Sequence, residues 1–303
     1  MTRCRMLCRV FIPLHVTGLW LPVRHSSPLL TGSMGAGLLL EPPATATVYE
    51  CDGGEAGFRG RAGGTPLPKN LDVVERVYGV LGGARALVEF DSPVPLGAGY
   101  AVSAAAALAA ALAEACIVEG LTVEEACRAA HRAEVEAGTG LGDVVAMLYG
   151  RGLEVRYSPG GPGIARVESV PVTGSYVVYS LATGEMATST MHSTLGDRLY
   201  TIAAPLLSRI MARPSLHGFL EAARRFSLEA GFAPPDTAGI LDSMVSRGLL
   251  VGWYAKKKVV LAVAPRKAED DAGRELERLA RERGWRLYRH RLAFRPLWLE
   301  PVA

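Results

Sequence analysis

Residues 95–113 read Pro-Leu-Gly-Ala-Gly-Tyr-Ala-Val-Ser-Ala-Ala-Ala-Ala-Leu-Ala-Ala-Ala-Leu-Ala, a glycine-containing loop followed by a run of alanine and leucine. Alanine and leucine have the highest helix propensities, so the run predicts a helix from Ser103 onward. Gly97 and Gly99 stand just before that helix. A glycine loop leading into a helix offers backbone N–H groups and the positive end of the helix dipole, an arrangement typical of phosphate sites.

The same pattern also fits a glycine-rich turn before a buried alanine-rich helix, and the composition does not separate the two interpretations. No Gly-Lys-Ser/Thr follows the loop, which excludes a Walker P-loop. The Ser103 hydroxyl would lie in the first helical turn, within reach of a phosphate or of a bound Mg²⁺.

The run Pro95-x-x-x-Gly99-Tyr-Ala-Val-Ser103-Ala-Ala resembles the phosphate-binding motif Pro-x-x-x-Gly-Leu-Gly-Ser-Ser-Ala of the GHMP kinases. Those enzymes phosphorylate small alcohols with ATP. The resemblance implies an α+β fold with the two-domain GHMP kinase architecture, and it implies a phosphate-binding set made of Pro95, Gly97, Ala98, Gly99, Ser103 and Ala104. Ala101 departs from the motif, because the family usually has a glycine there.

Length and charge place the chain among ordinary globular enzymes. Its 303 residues suit two domains, and 49% hydrophobic with 21% charged residues is typical of such proteins. A net charge of +3 is too small to indicate nucleic acid or a membrane surface as a partner. Without an apolar run of about 18 residues no transmembrane helix is predicted, and we expect a cytoplasmic protein.

The five cysteines, Cys4, Cys8, Cys51, Cys116 and Cys127, are scattered and contain no Cys-x-x-Cys pair. This spacing suggests neither a disulfide framework nor a zinc site. We therefore expect unpaired thiols.

A second informative stretch lies between Leu121 and Asp143. Thr122-Val-Glu-Glu125 is a capping-box pattern, which predicts a helix running to about residue 136, with His131 and Glu134 nearly on one face. A glycine-rich loop over 138–143 ends it. Taken alone, Asp143 could simply cap a following helix, and a glutamate on a helix is usually solvated.

Ala-His-x-Ala-Glu134 followed by Thr-Gly-Leu-Gly-Asp143-Val resembles one branch of the superfamily, the archaeal pantoate kinases. The resemblance implies that Glu134 and Ser103 hold Mg²⁺ and that Asp143 takes the proton of the acceptor hydroxyl. The chemistry agrees, since Mg²⁺ takes one or two carboxylates together with phosphate oxygens, and a second carboxylate can accept a proton.

The first forty residues also resemble this superfamily. Phe11-Ile-Pro-Leu-His15-Val-Thr17-Gly18 is similar to a degenerate first motif. His15 stands in place of a basic residue that pairs with phosphate or acceptor, so the resemblance makes it a candidate catalytic residue. The run 31–37 resembles the Thr-Gly-Ser-Arg-Gly-Ala-Gly stretch of the same branch, with Met34 replacing the arginine, although it fits a hairpin turn equally well. The predicted substrate contacts are Thr17, Arg24, Thr31, Ser33 and Gly35.

Glycine and proline become frequent around 150–172, and we place a domain boundary near residue 170. This boundary predicts two domains, over 1–170 and 171–303. The resemblance implies that the first is an α/β nucleotide-binding domain and that the second is a ferredoxin-like α+β domain, and the order of strands and helices after residue 170 is compatible with it. A third glycine motif is expected near 246–252 but keeps only two glycines. We interpret Lys256-Lys257-Lys258 as a solvated strand edge, and 187–190 as a loose match to the same branch.

Together these resemblances imply an ATP- and Mg²⁺-dependent kinase that phosphorylates the 4-hydroxyl of pantoate, a small-molecule substrate, for coenzyme A biosynthesis. A related kinase of homoserine, shikimate or mevalonate, an inactive relative, and an RNA-binding α+β protein with a basic C-terminal strand are the alternatives. No nucleic acid or membrane partner is expected, and a homodimer stays open.

Overall fold

The computed structural model describes residues 3–186, 196 and 198–302, which form an α+β fold. Its helices are α1 (Asp72–Leu81), α2 (Val102–Ala115), α3 (Val123–Ala137), α4 (Asp143–Tyr149), α5 (Arg198–Ala212), α6 (Leu216–Glu229), α7 (Pro235–Ser246) and α8 (Glu269–Arg283). Its strands are β1 (Cys4–Val23), β2 (Gly32–Cys51), β3 (Gly57–Ala62), β4 (Thr65–Pro66), β5 (Leu87–Ser92), β6 (Leu153–Arg156), β7 (Val167–Val170), β8 (Tyr176–Ala182), β9 (Gly252–Lys256), β10 (Val259–Pro265), β11 (Arg286–Leu292) and β12 (Trp298–Pro301).

The antiparallel hairpin of β1 and β2 forms the centre of the fold, and each strand has 20 residues. The sequence predicts only short strands over 3–12 and 38–40. Both strands extend further than predicted. Residues 12–20 and 36–41 are buried, and a strand that is buried on both faces lacks the alternation of polar and apolar residues by which a half-exposed strand is recognised. Beyond β1, β2 pairs with β5, β6 and β11 along different parts of its length.

Helix α2 is the core helix of the N-terminal half. Residues 104–113 are all buried, as their uniformly apolar sequence predicts. Helices α1 and α3 pack against it, and α3 begins with the predicted capping box, in which Thr122 and Glu125 bond each other's backbone N–H groups.

The C-terminal strands have the ferredoxin-like arrangement that the resemblance implies. They lie in the order β11-β8-β10-β9, which in chain order is 4-1-3-2, and all three pairings are antiparallel. Helices α5–α7 connect β8 to β9, and α8 connects β10 to β11. Strand β12 returns to pair with β1. A boundary at residue 170 stays a prediction.

Within the described ranges, no helix has the length and apolar character needed to cross a membrane. The weak match at 187–190 lies outside the described residues.

The expectation of unpaired thiols is wrong for four of the cysteines. Cys4 is bonded to Cys51, and Cys8 to Cys116, while Cys127 is a free, buried thiol. The pairing depends on tertiary structure, because the register of β1 and β2 places Cys4 opposite Cys51. The second bond joins β1 to the end of α2 across 108 residues, a separation that sequence spacing does not reveal.

Blocking free thiols with an alkylating agent under denaturing, non-reducing conditions should label one cysteine, Cys127, and prior reduction should label all five.

The double variant Cys8→Ser/Cys116→Ser should lose about 2–4 kcal/mol of unfolding free energy, because the long cross-link no longer restricts the unfolded chain. Guanidinium titration measures this loss. Adding reductant should lower the wild-type stability but leave a variant lacking both disulfides unchanged. Five labelled thiols without reduction would contradict the pairing.

Candidate active site

The loop before α2 has the backbone shape that an anion site requires. Gly97 and Gly99 have positive φ angles of 84° and 128°, and Ala101 has a φ of 57°. The conformation of a glycine is therefore kept at Ala101 although a side chain is present. Among the described residues no side chain caps the N-terminus of α2. The N–H groups of its first turn are therefore available to bind an anion.

The C-terminal strands hold this loop in place. The Tyr100 hydroxyl shares a hydrogen bond of 2.8 Å with Ser180, which in turn lies 2.7 Å from His290 Nε2. The Lys258 N–H donates to the Ala98 carbonyl at 3.1 Å. A side chain at position 99 would collide with Val259 and the Lys256 carbonyl. The loop is thus clamped between α2 and the β9–β10 turn.

Asp143 lies at the start of α4 in a cluster of buried cations. Its Oδ1 is 2.7 Å from His15 Nδ1, and the Thr17 hydroxyl donates to the same oxygen at 3.4 Å. The other ring nitrogen of His15 is 3.0 Å from Glu154 Oε1, and Glu154 is also paired with Arg156. An ionised carboxylate only accepts, so a hydrogen bond from either ring nitrogen of His15 to such a group needs a proton on that nitrogen.

This cluster keeps Asp143 ionised. Burial acts to raise the pKa of Asp143, but Lys256, His15 and Arg156 together lower it below the ordinary value. His15 is itself fully buried, so it contacts Asp143 from behind rather than facing a ligand.

Glu134 has the opposite electrostatic environment. Its side chain is buried, and burial raises its pKa to about 7, with Asp143 adding to the rise and Thr139 and Ser103 opposing it. Glu134 Oε1 accepts from the Thr139 hydroxyl at 2.6 Å, while Oε2 has no hydrogen-bond partner among the described residues. An unpaired buried carboxylate oxygen beside a serine hydroxyl is an oxygen-only donor set, which fits Mg²⁺.

The glycines of the 138–143 loop let these groups approach each other. A Cβ at Gly140 would lie 2.2 Å from Glu134 Oε2 and 3.1 Å from Asp143 Oδ2. A Cβ at Gly142 would lie 2.4 Å from the Ser33 hydroxyl. Both positions therefore need glycine for space, and the loop brings the two carboxylates to one place.

These elements enclose a cavity of about 270 Å³. Of the predicted residues, Thr17, Ser33, Gly97, Gly99, Ser103 and Asp143 line it, and Trp20, Leu96, Ala101, Gly140, Gly142, Met186, Lys256 and Lys257 are among the others.

The remaining predicted residues lie elsewhere. Arg24 is exposed beyond the end of β1, and Gly35 packs against Arg156. The Thr31 hydroxyl bonds backbone groups of His25 and Ser27. Pro95, Ala98, Ala104, His15 and Glu134 lie beside cavity-lining residues without lining the cavity themselves.

Sequence reasoning missed the lysines of the β9–β10 turn. The solvated edge predicted there is wrong for Lys256, which is 7% exposed and lines the cavity with Lys257. The sequence signal for these lysines is a basic run between two apolar strands. That pattern alone predicts a solvated strand edge, and only the packing of the turn against the phosphate loop distinguishes it from a cavity wall. Gly248 and Gly252, of the expected third motif, do not line the cavity.

Comparison with known proteins bears on what this site does. Residues 69–151 match the model of the GHMP kinases N terminal domain. The pantoate kinase of Thermococcus kodakarensis is 32% identical over 78% of this chain and 80% of its own length, and that of Methanospirillum hungatei is 30% identical over 77% and 79%.

The chain belongs to the pantoate kinase family of GHMP kinases. Solved structures share the fold of this GHMP kinase. A phosphotransferase related to the CoA biosynthesis pathway has a TM-score of 0.80 at 24% identity, covering 97% of this chain and 99% of its own. A homoserine kinase from Cytophaga hutchinsonii has a TM-score of 0.67 at 15% identity, with 97% of each chain covered.

The raised pKa of Glu134 makes the stability of this GHMP kinase depend on pH. The folded carboxyl titrates at about 7, whereas an unfolded glutamate titrates near 4.5. In metal-free buffer, the contribution of Glu134 to the unfolding free energy should therefore be largest below pH 4.5. It should fall by about 3 kcal/mol as the pH rises through 7.

Glu134→Gln, which cannot ionise, should lose this component, and urea unfolding at several pH values measures it. Glu136→Gln, on the solvent side of the same helix, is the matched control and should keep the wild-type profile. Identical profiles for wild type and Glu134→Gln would contradict the raised pKa.

Proposed function

We propose that this chain transfers the γ-phosphoryl group of ATP to the 4-hydroxyl of pantoate, giving 4-phosphopantoate and ADP, a step of coenzyme A biosynthesis. The observation that carries the proposal is the juxtaposition of an ionised Asp143 with the uncapped N-terminus of α2 in one cavity. The family relationship supports the same activity, since the curated relatives are named pantoate kinases.

In this mechanism the 97–103 loop binds the nucleotide phosphates through backbone N–H groups and the α2 dipole. Glu134 and Ser103 would hold Mg²⁺, which supplies positive charge to the phosphate oxygens when bound. The Oε2 atom of Glu134 supports this assignment, because it is buried and has no hydrogen-bond partner among the described residues.

Asp143 then receives the proton of the acceptor hydroxyl as the new phosphorus–oxygen bond forms. His15 and the Thr17 hydroxyl fix the orientation of its Oδ1. Because the cation cluster holds Asp143 as an anion, its main contribution is to accept a hydrogen bond from the hydroxyl and align it for in-line attack.

The acceptor end of the cavity suits a branched hydroxy acid. Thr17 and Ser33 supply hydroxyls, the Trp20 ring supplies an apolar wall, and Lys256 supplies a positive charge. Pantoate has a carboxylate, two hydroxyls and a gem-dimethyl centre, which these groups complement. The ammonium group of homoserine would face Lys256 at this end, an unfavourable pairing.

Replacing Asp143 by asparagine keeps the shape of the side chain but removes its charge and its capacity to take a proton. We expect kcat for pantoate phosphorylation to fall by about 10²–10⁴-fold, with ATP affinity little changed. A coupled ADP-release assay and calorimetric ATP titration measure the two effects. Asp270→Asn, an exposed aspartate in the first turn of α8 away from the cavity, is the control and should keep most of the activity. Near-normal turnover by Asp143→Asn at matched stability would remove Asp143 from the mechanism.

Substrate choice is tested by the same assay against pantoate, homoserine, mevalonate and shikimate. We expect pantoate to be preferred by several orders of magnitude in kcat/KM, because a mispaired polar group in a buried pocket is costly. If one of the other three alcohols is phosphorylated more efficiently, the kinase chemistry stands and the acceptor assignment fails.

A further inference from the structure

Three consecutive lysines lie where β9 leads into β10. Lys256 is the last residue of β9, and Lys257 and Lys258 form the turn. A surface turn would leave all three in solvent, where lysine is found most often. Here the first is buried at the end of β9, and the first two line the cavity beside the phosphate loop. Lys258 does not line it.

The ammonium group of Lys256 lies between a carboxylate and an aromatic ring. Its Nζ is 3.9 Å from Asp143 Oδ1, an ion-pair distance too long for a hydrogen bond, and 5.8 Å from the centre of the Trp20 ring. In the described part of the chain, no hydrogen bond is found for its three N–H donors. A buried ammonium with unused donors that faces a cavity is suited to an anionic ligand.

The turn cannot move away from the phosphate loop without breaking contacts. Lys258 donates its N–H to the Ala98 carbonyl, and its own carbonyl accepts from the Thr183 N–H at 2.8 Å. Lys257 has a φ of 53°, the left-handed region that residues other than glycine rarely occupy. This conformation costs free energy, and it is retained at the point where the turn meets the loop.

Two neighbouring ammonium groups at one cavity wall repel each other. Burial lowers the pKa of Lys257 to about 8, and the charge of Lys256 acts in the same direction. An entering polyphosphate would compensate both charges, so the repulsion in the ligand-free protein becomes attraction when the nucleotide binds.

We propose that Lys256 and Lys257 form a cationic clamp for the nucleotide triphosphate, with Lys257 binding its phosphates and Lys256 contacting the phosphoryl group in transfer. The inference rests on the proposed kinase function, adds Lys257 to it, and gives Lys256, already placed at the acceptor end, a contact with the phosphoryl group. In the transfer step, the bond between the γ-phosphorus and its bridging oxygen breaks and ADP leaves with the electron pair. The acceptor oxygen bonds to phosphorus and its proton goes to Asp143. Both lysines stay protonated throughout.

The division of roles follows from position. Lys256 is the lysine that shares the acceptor end of the cavity with Asp143, where charge redistributes during transfer. Lys257 lies one residue further along the turn and close to the phosphate loop, since a Cβ added at Gly99 would lie 3.6 Å from the Lys257 Cβ. Lys256 should therefore act on kcat and Lys257 on nucleotide affinity.

The test compares Lys256→Met, Lys257→Met and Lys258→Met, which remove one charge each and keep an unbranched side chain. Lys258→Met is the matched control from the same turn. Calorimetry measures the binding of ATP, with Mg²⁺, and of adenosine, which lacks phosphates. The ADP-release assay measures kcat with pantoate and, without an acceptor, the slower transfer to water.

Lys257→Met should weaken ATP binding about tenfold and leave adenosine binding unchanged, as expected for a lost charge-assisted bond. Lys256→Met should lower kcat about 10²–10³-fold with ATP affinity within about threefold of wild type, and Lys256→Arg should recover part of it. Lys258→Met should stay within about twofold of wild type, because its side chain does not line the cavity.

The proposal is overturned if Lys257→Met binds ATP normally, if Lys256→Met at matched thermal stability keeps its kcat, or if Lys258→Met loses as much as either. These results leave the kinase function untouched when wild type phosphorylates pantoate. The converse result is also distinguishable. If wild type does not phosphorylate pantoate, but Lys257→Met weakens the binding of ATP and not of adenosine, the acceptor assignment is refuted and the clamp is supported.

Discussion

The charge balance at Asp143 is the interaction on which the site depends. A lone buried carboxylate would take up a proton, because burial disfavours its charged form. Here His15 of β1 and Lys256 of β9 supply positive charge, and Arg156 of β6 adds more. Three strands that are far apart in the chain must therefore meet before the aspartate can act as an anion. Removing one member of such a cluster leaves an uncompensated charge, so the cluster also links the site to the packing of the sheets.

The long β1–β2 hairpin makes that meeting geometrically feasible. Its burial on both faces allows helix α2 to pack on one part and the ferredoxin-like strands to approach through β11. The phosphate loop is then held from both directions, by α2, which continues from it, and by the bonds of Tyr100 and Ala98 to the C-terminal strands. A loop fixed in this way presents its N–H groups without reorganisation when an anion binds, which is the condition for electrostatic stabilisation of a transferred group.

The two carboxylates of the site have been given different environments by the same short loop. Glu134 is buried near few cations and its pKa rises to about 7, whereas Asp143 has three cations nearby and its pKa falls. In the proposed mechanism the first group exchanges its proton for a metal ion, and the second stays ionised for the acceptor hydroxyl. Glycine at 140 permits both, because a Cβ there would collide with Glu134 Oε2 and crowd Asp143 Oδ2.

Local sequence determined much of this protein. Helix propensity and short-range hydrogen bonding depend only on residues close together in the chain. They account for the helix from Ser103, the capping box at Thr122 and the loop ending at Asp143. The motifs that contain Ser103, Glu134 and Asp143 could be recognised in the sequence because each motif is contiguous. The disulfides, the role of His15 behind Asp143 and the burial of Lys256 were decided only by tertiary structure. Each depends on a strand register or on a turn docking against a distant loop, and a pairing between residues far apart in the chain leaves no periodic signal in the sequence.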